Sequence, residues 1–187
     1  MTDQTDRLIV VTGGPGAGKT TLIEALAARD HAVQPEAGRA IIREQQAIGG
    51  TGLPWADRAL FAELMLAADL RGHAEALAGE GLVFFDRGLP DILAYLALSS
   101  LPVPQHAEEA ARRLRYRRMV FIAPPWPAIF GQDAERKQDF AEAERTYAAL
   151  AATYPRCGYE LVELPRTSVE ERLAFVLRHV AAGDRSV

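Results

Sequence analysis

The stretch LIVVTGGPGAGKTT, Leu8 to Thr21, decides the fold. A short, continuous apolar run, Leu8–Thr12, reads as a strand covered on both faces. It runs directly into Gly13-Gly14-Pro15-Gly16-Ala17-Gly18-Lys19-Thr20-Thr21, which fits G-x-x-x-x-G-K-[ST] at Gly13, Gly18, Lys19 and Thr20. Glycines let the backbone curl tightly and turn successive N–H groups inward around an anion. The helix that follows presents its positive end to the same point. In this pattern Gly13, Gly14, Gly16, Ala17 and Gly18 form the cradle. Lys19 reaches the β- and γ-phosphates, the Thr20 hydroxyl ligates Mg²⁺, and Thr21 is placed to meet the α-phosphate. A bare glycine-rich turn would need none of this, and the strand before and helix after are the context the motif requires. The motif implies a nucleoside triphosphate such as ATP, held with Mg²⁺. It specifies neither the base nor the reaction.

Outward from that stretch, short β-rich runs alternate with longer helical patterns. Strands are predicted at Leu8–Thr12, Ala32–Pro35, Leu82–Phe85, Met119–Ile122 and Leu161–Leu164. Helices are predicted at Lys19–Arg29, Arg39–Ala47, Trp55–Ala78, Asp91–Leu98, His106–Arg115, Gln138–Thr153 and Ser168–Ala181. In the third helix Leu60, Leu64 and Ala67 recur at helical spacing, widened by Phe61 and Met65. This alternation predicts an α/β fold, a parallel sheet with helices on both faces, in one domain spanning 1–187.

Composition sets outer bounds. The 187 residues are 49% hydrophobic and 25% charged, enough for a sizeable core. A net charge of -4 argues against nucleic acid as the partner. The one cysteine, Cys157, cannot make an internal disulfide, and no Cys/His cluster suggests zinc. No apolar run approaches the roughly 20 residues a membrane helix needs, and the polar start MTDQTDR is unlike a signal peptide. The expectation is a cytoplasmic protein without a membrane partner. Of the 21 Lys and Arg residues only Lys19 and Lys137 are lysine, so lysine is used sparingly.

Ligands in open parallel sheets bind beyond the carboxyl ends of the strands. Those ends carry Glu36 and Arg39 after the second strand, Asp86 and Arg87 after the third, Pro124-Pro125-Trp126 after the fourth, and Arg166-Thr167-Ser168 after the fifth. A motor or switch ATPase commonly keeps two adjacent acids after the third strand. Arg87 stands in place of the second, with a charge suited to phosphate or carboxylate. Asp86 can anchor Mg²⁺, take a proton, or cap a helix. Asp91, after Pro90, is either a capping residue or a substrate contact. Glu36, Arg39 and Arg43 share one helix face, with Glu36 a second candidate base and the arginines candidates for an anionic part of an acceptor. Arg136 and Lys137, on a loop after the fourth strand, could close over the γ-phosphate. The run RRLRYRR, Arg112–Arg118, reads as a solvated helix end or a partner patch.

Together GGPGAGKTTL, PEAGRAII, FFDRGLPD, FIAPPW, DAERK and GYELVELPRTSVEERLAFVL resemble a bacterial family of small P-loop proteins grouped under the label AAA domain. That family is similar to the ribosylnicotinamide kinase domain and to nucleoside and nucleotide kinases. The resemblance covers nearly the whole chain. It implies a three-layer P-loop NTPase fold with a five-stranded parallel sheet ordered 2-3-1-4-5 and a short helical lid at about 124–140. It also implies that Glu36 serves as base, that Asp86 and Arg87 handle Mg²⁺ and substrate, that Arg136 and Lys137 are lid cations, and that Arg166 and Thr167 border adenine.

Two activities follow. One is Mg²⁺-ATP-dependent phosphoryl transfer to a small hydroxyl-bearing acceptor, nucleoside- or nucleotide-like, with Lys19, Glu36, Asp86, Arg87, Arg136 and Lys137 catalytic and Glu36, Arg39, Arg87 and Asp91 around the acceptor. The other is an ATPase or nucleotide-gated switch read by a protein partner or a second copy of the chain. A GTPase is disfavoured because no Asn-Lys-x-Asp run occurs.

Overall fold

The computed structural model describes residues 4–130 and 139–183. Five strands, β1 (Leu8–Gly13), β2 (Ala32–Gln34), β3 (Val83–Asp86), β4 (Met119–Ala123) and β5 (Glu160–Glu163), form one sheet in the order β2-β3-β1-β4-β5. Every neighbouring pair is parallel. The expected order and fold class are therefore those observed.

The central strand explains the layering. Successive side chains of a strand point to opposite faces. Leu8 and Val10 join one core with Val83, Phe85, Val120 and Ile122. Ile9 and Val11 join the other with Phe84, Phe121 and Ala123. The first core is closed by α3 (Arg58–Ala78), α4 (Leu89–Leu98), α5 (Gln105–Arg113) and α6 (Phe140–Arg156). The second is closed by α1 (Lys19–Ala27) and α7 (Val169–Gly183). The remaining helix, α2 (Ala37–Ile48), follows β2 and packs on α3.

Several boundaries differ from expectation for local reasons. The long third helix begins at Arg58, not Trp55, because the Asp57 side chain accepts the Leu60 N–H at 2.9 Å and caps it. Its buried face carries Phe61, Ala62, Leu66, Gly72, His73 and Ala76, while Leu60 is exposed and Leu64 half-buried. Of the expected stripe, Phe61 and Met65 pack on the core, whereas Leu60 and Ala67 face outward. Leucine and alanine occur all round this helix, so its neighbours decide which side is buried. The fourth helix begins at Leu89, which puts Asp91 in the third helical position rather than at the start. Among the described residues no helix is long and apolar enough to cross a membrane.

Candidate functional site

The phosphate cradle sits where β1 meets α1. Gly18 precedes α1 at φ 76°, the left-handed region glycine tolerates best. A Cβ there would also lie 2.7 Å from Nη1 of Arg172, so the position excludes a side chain twice over. Lys19 is 6% exposed and its ammonium donates to the Gly14 carbonyl at 2.8 Å. Burial, helped by the nearby Arg87 charge, lowers its pKa to about 8 against the pull of Asp86, Glu36 and Asp91. Thr20 is half-buried and Thr21 exposed at the start of the same helix.

Asp86 is the last residue of β3, in register with Val11 beside the cradle. It is 7% exposed and its Oδ1 has no hydrogen-bond partner. Burial pushes its carboxyl up, and the Lys19 and Arg87 charges only partly offset that. Asp86 does not cap α4. The Gly88 N–H that opens that helix donates to Oδ2 of Asp91 at 3.1 Å. A buried carboxylate oxygen with no donor, close to the Lys19 ammonium, has the character of a hard-cation ligand. The residues present, Asp86 and the Thr20 hydroxyl, fit Mg²⁺.

Arg87 takes an unusual backbone conformation, φ 77°, outside the regions favoured by side-chain-bearing residues. Its side chain is then fixed by three acceptors. Nε donates to Oε1 of Glu36 at 3.2 Å, and Nη1 donates to the Gly13 carbonyl at 3.1 Å and to Oδ1 of Asp91 at 3.0 Å. These bonds tie together the ends of β1, β2 and β3. Glu36 stands immediately before α2 and its side chain makes no capping bond. Burial raises its pKa, but the charges of Arg87, Lys19 and Arg39 together outweigh burial and hold it below the ordinary carboxylate value. It is therefore an ionised acceptor at neutral pH. Arg39 approaches it at 3.9 Å and is 40% exposed, whereas Arg43 lies exposed further along α2.

Asp91 lies behind this pair. Its carboxylate accepts from Thr12 Oγ1 at 2.7 Å, from Arg87 and Gly88, and from the Tyr154 hydroxyl at 2.5 Å. Of the two sequence readings of Asp91, capping of α4 is the one observed, and Asp91 reaches the acid–arginine group only through Arg87. On the other side of the cradle Arg166 is exposed, with Nε donating to the Pro125 carbonyl at 3.2 Å. It borders an open cavity of about 520 Å³ also lined by Pro125, Pro127, Phe140, Glu144 and Tyr147. Glu36 and Asp86 are not part of that cavity's lining. The Thr167 hydroxyl donates to the Glu171 carboxylate, which also takes the Ser168 N–H and hydroxyl, so this segment caps α7. Arg136 and Lys137 lie outside the described residues, as does the middle of the expected lid, 131–138.

Across residues 8–172 the chain matches the AAA_28 family, described as an AAA domain. The chain belongs to this family. No curated protein sequence matches it. Among solved structures, the AAA-domain chain is similar to a NadR protein in complex with NR, at a TM-score of 0.67 and 18% identity over 94% of its length. It spans about half of that protein, 52%. It is also similar to deoxyadenosine kinase from M. mycoides, at a TM-score of 0.63 and 14% identity, covering 94% of this chain and 99% of the kinase. Thymidylate kinase from Ehrlichia chaffeensis follows at 0.59 and 15%, with 92% and 98% covered. Identities this low establish a kinase-like P-loop fold.

Some residues of this AAA-domain chain carry more than their sequence suggests. Arg172 on α7 is 3% exposed and touches the cradle. Asp69 is a carboxylate on α3, aligned at helical spacing with Phe61 and Met65, which flank Gly38 near Glu36. Burial together with Asp91 pushes its pKa up to about 7. An acid four residues on from Met65, on the side of the helix that carries Phe61, was the available signal. The RRLRYRR run divides in two. Arg112, Arg113 and Arg118 are surface ion-pair partners of Glu109 and Glu160. Arg115 packs over Tyr159, Arg117 is buried against the Val180 carbonyl, and Tyr116 is a core residue at 3% exposure. The run is therefore part solvated ion pairs and part buried packing.

Proposed function

We propose that this protein transfers the γ-phosphoryl group of ATP to a hydroxyl of a small acceptor, nucleoside- or nucleotide-like. One observation carries the reading: Glu36 is held ionised by Arg87 next to the buried, donor-free Asp86 and the cradle lysine. Two carboxylates in different electrostatic states are what phosphoryl transfer to an alcohol requires. One must accept a proton, and the other must hold a cation.

Glu36 accepts the acceptor's O–H proton as the new O–P bond forms. The bond between the γ-phosphorus and its bridging oxygen breaks, and ADP leaves with that electron pair. Lys19 balances charge that develops on the moving group. Arg87 orients Glu36 and does not itself need to meet phosphate, since its bonds to Glu36, Asp91 and Gly13 occupy its near edge. Asp86 and Thr20 would hold Mg²⁺, which would offset the negative charge of the phosphates. Arg39 is the exposed cation nearest Glu36 and fits an anionic or hydroxyl-rich part of the acceptor. Arg136 and Lys137 are proposed as further cations for the same phosphoryl group. The likeness in fold to deoxyadenosine kinase and thymidylate kinase supports the choice of acceptor class.

The deciding measurement is ADP release from ATP with and without a panel of nucleosides and nucleoside monophosphates. At least one acceptor is expected to raise the rate well above the ATP-only background. A rate that is high without acceptor, and that none alters, would favour hydrolysis by a nucleotide-gated switch.

A further inference from the structure

Arg172 lies in the first turn of α7 and is 3% exposed. Its Nη1 donates to the Ala17 carbonyl at 3.0 Å, and its guanidinium carbon lies 5.9 Å from the centre of the Trp126 ring. Its Nε is buried without a partner. Among the described residues no carboxylate pairs with this guanidinium. Burial lowers its pKa with no opposing charge to restore it. A buried cation without a counter-ion is costly, and an anion brought near it would offset that cost.

The direction of the contact matters more than its charge. The peptide between Ala17 and Gly18 is trans, like every described peptide. In a trans peptide the C=O and the following N–H point in opposite directions. With the Ala17 oxygen held toward α7, the Gly18 N–H must turn the other way, into the curve of the loop. The missing side chain at Gly18 is what lets the guanidinium come this close.

We infer that Arg172 is a positioning residue of the nucleotide site. By gripping the Ala17 carbonyl from α7, it keeps the Gly18 N–H facing the phosphates and sets an uncancelled positive charge behind the cradle. This rests on the loop's being a polyphosphate site, not on phosphoryl transfer. It couples the second core, through α7, to the loop.

The test is equilibrium binding without acceptor, using ADP, inorganic tripolyphosphate and adenosine as probes. Titration calorimetry gives the affinity, with Trp126 emission as a second readout. Arg172→Met is expected to weaken ADP and tripolyphosphate by about 10-fold or more, the usual scale for losing a charged hydrogen bond, and to leave adenosine unchanged. Arg172→Lys keeps the stem and the charge but not the planar fork, and should fall between the two. Should Arg172→Met not fold, Arg172→Lys decides alone: ADP bound several-fold more weakly supports the assignment, and wild-type affinity overturns it. Equal weakening of adenosine and ADP also overturns it, because general loosening would do that. Wild-type protein that binds neither polyphosphate would overturn the reading of the loop and this inference with it.

Discussion

Arg87 donates to Glu36 at 3.2 Å and so links the carboxyl end of β3 to the first residue before α2. The bond explains why a residue strained at φ 77° is an arginine and not a glycine. Arg87→Gly would relieve the backbone and release Glu36. Arg87→Ala would release Glu36 without relieving the backbone. Both variants are expected to lose about 100-fold in kcat with a small change in KM for ATP. Arg87→Ala should be the less stable of the two by about 1 kcal/mol, the cost of a Cβ in the left-handed region. Steady-state kinetics and urea melts separate the two effects.

Burial of Asp86 comes at a cost in stability. Its folded-state pKa is raised, so ionising it opposes folding. Its contribution is favourable at low pH and is lost as pH rises through the folded value. Asp86→Asn removes that penalty. Without nucleotide, the variant is expected to melt at a higher temperature than wild type at pH 7, while its Mg²⁺-dependent activity falls by 100-fold or more. Thermal melts and a Mg²⁺ titration of the rate check both halves.

Lys19 titrates near 8 when the cradle holds no phosphate. Phosphate favours the charged ammonium, so binding ATP above pH 8 should draw a proton from solution. ATP affinity is expected to fall as pH rises through about 8. Calorimetry in two buffers of different ionisation heat would show proton uptake above that pH and little below pH 7.

Asp69 has a folded pKa of about 7, above its ordinary value of 3.8. The same sign applies, and stability should decline as pH rises from about 4 to about 7 and level off above that. Asp69→Asn is expected to flatten that slope and stabilise the protein at pH 8 by up to roughly 4 kcal/mol. Urea melts at about pH 5 and about pH 8 measure it. The charged groups around Asp69 are Asp91, Arg87 and Glu36, so Arg87→Ala should steepen the decline.

Much of the frame was legible in the sequence. β1, β3 and β4 are continuous apolar runs buried on both faces, and their predicted ends lie within a residue of those observed. The Lys19 cradle was legible because its chemistry tolerates few residue types at fixed spacing. The buried side of α3 was not, because an all-round apolar helix has no preferred face until it packs. Capping by Asp91 was legible for α4, but the Asp57 cap of α3 was not.

The candidate site shows the same division. That Glu36, Asp86 and Arg87 share one edge follows from strand ends alone. That Arg87 turns to Glu36 and Asp91 depends on one left-handed backbone angle. That Tyr154 on α6 and Thr12 on β1 complete the Asp91 shell depends on residues 63 and 79 positions away. Arg172 is 155 residues from the carbonyl it holds. Local spacing along the chain determines which strand ends meet and where a phosphate can sit, because backbone geometry repeats over a few residues. Which charges are paired, buried or left open is decided only by long-range packing, because the energy of a charge depends on what surrounds it in three dimensions.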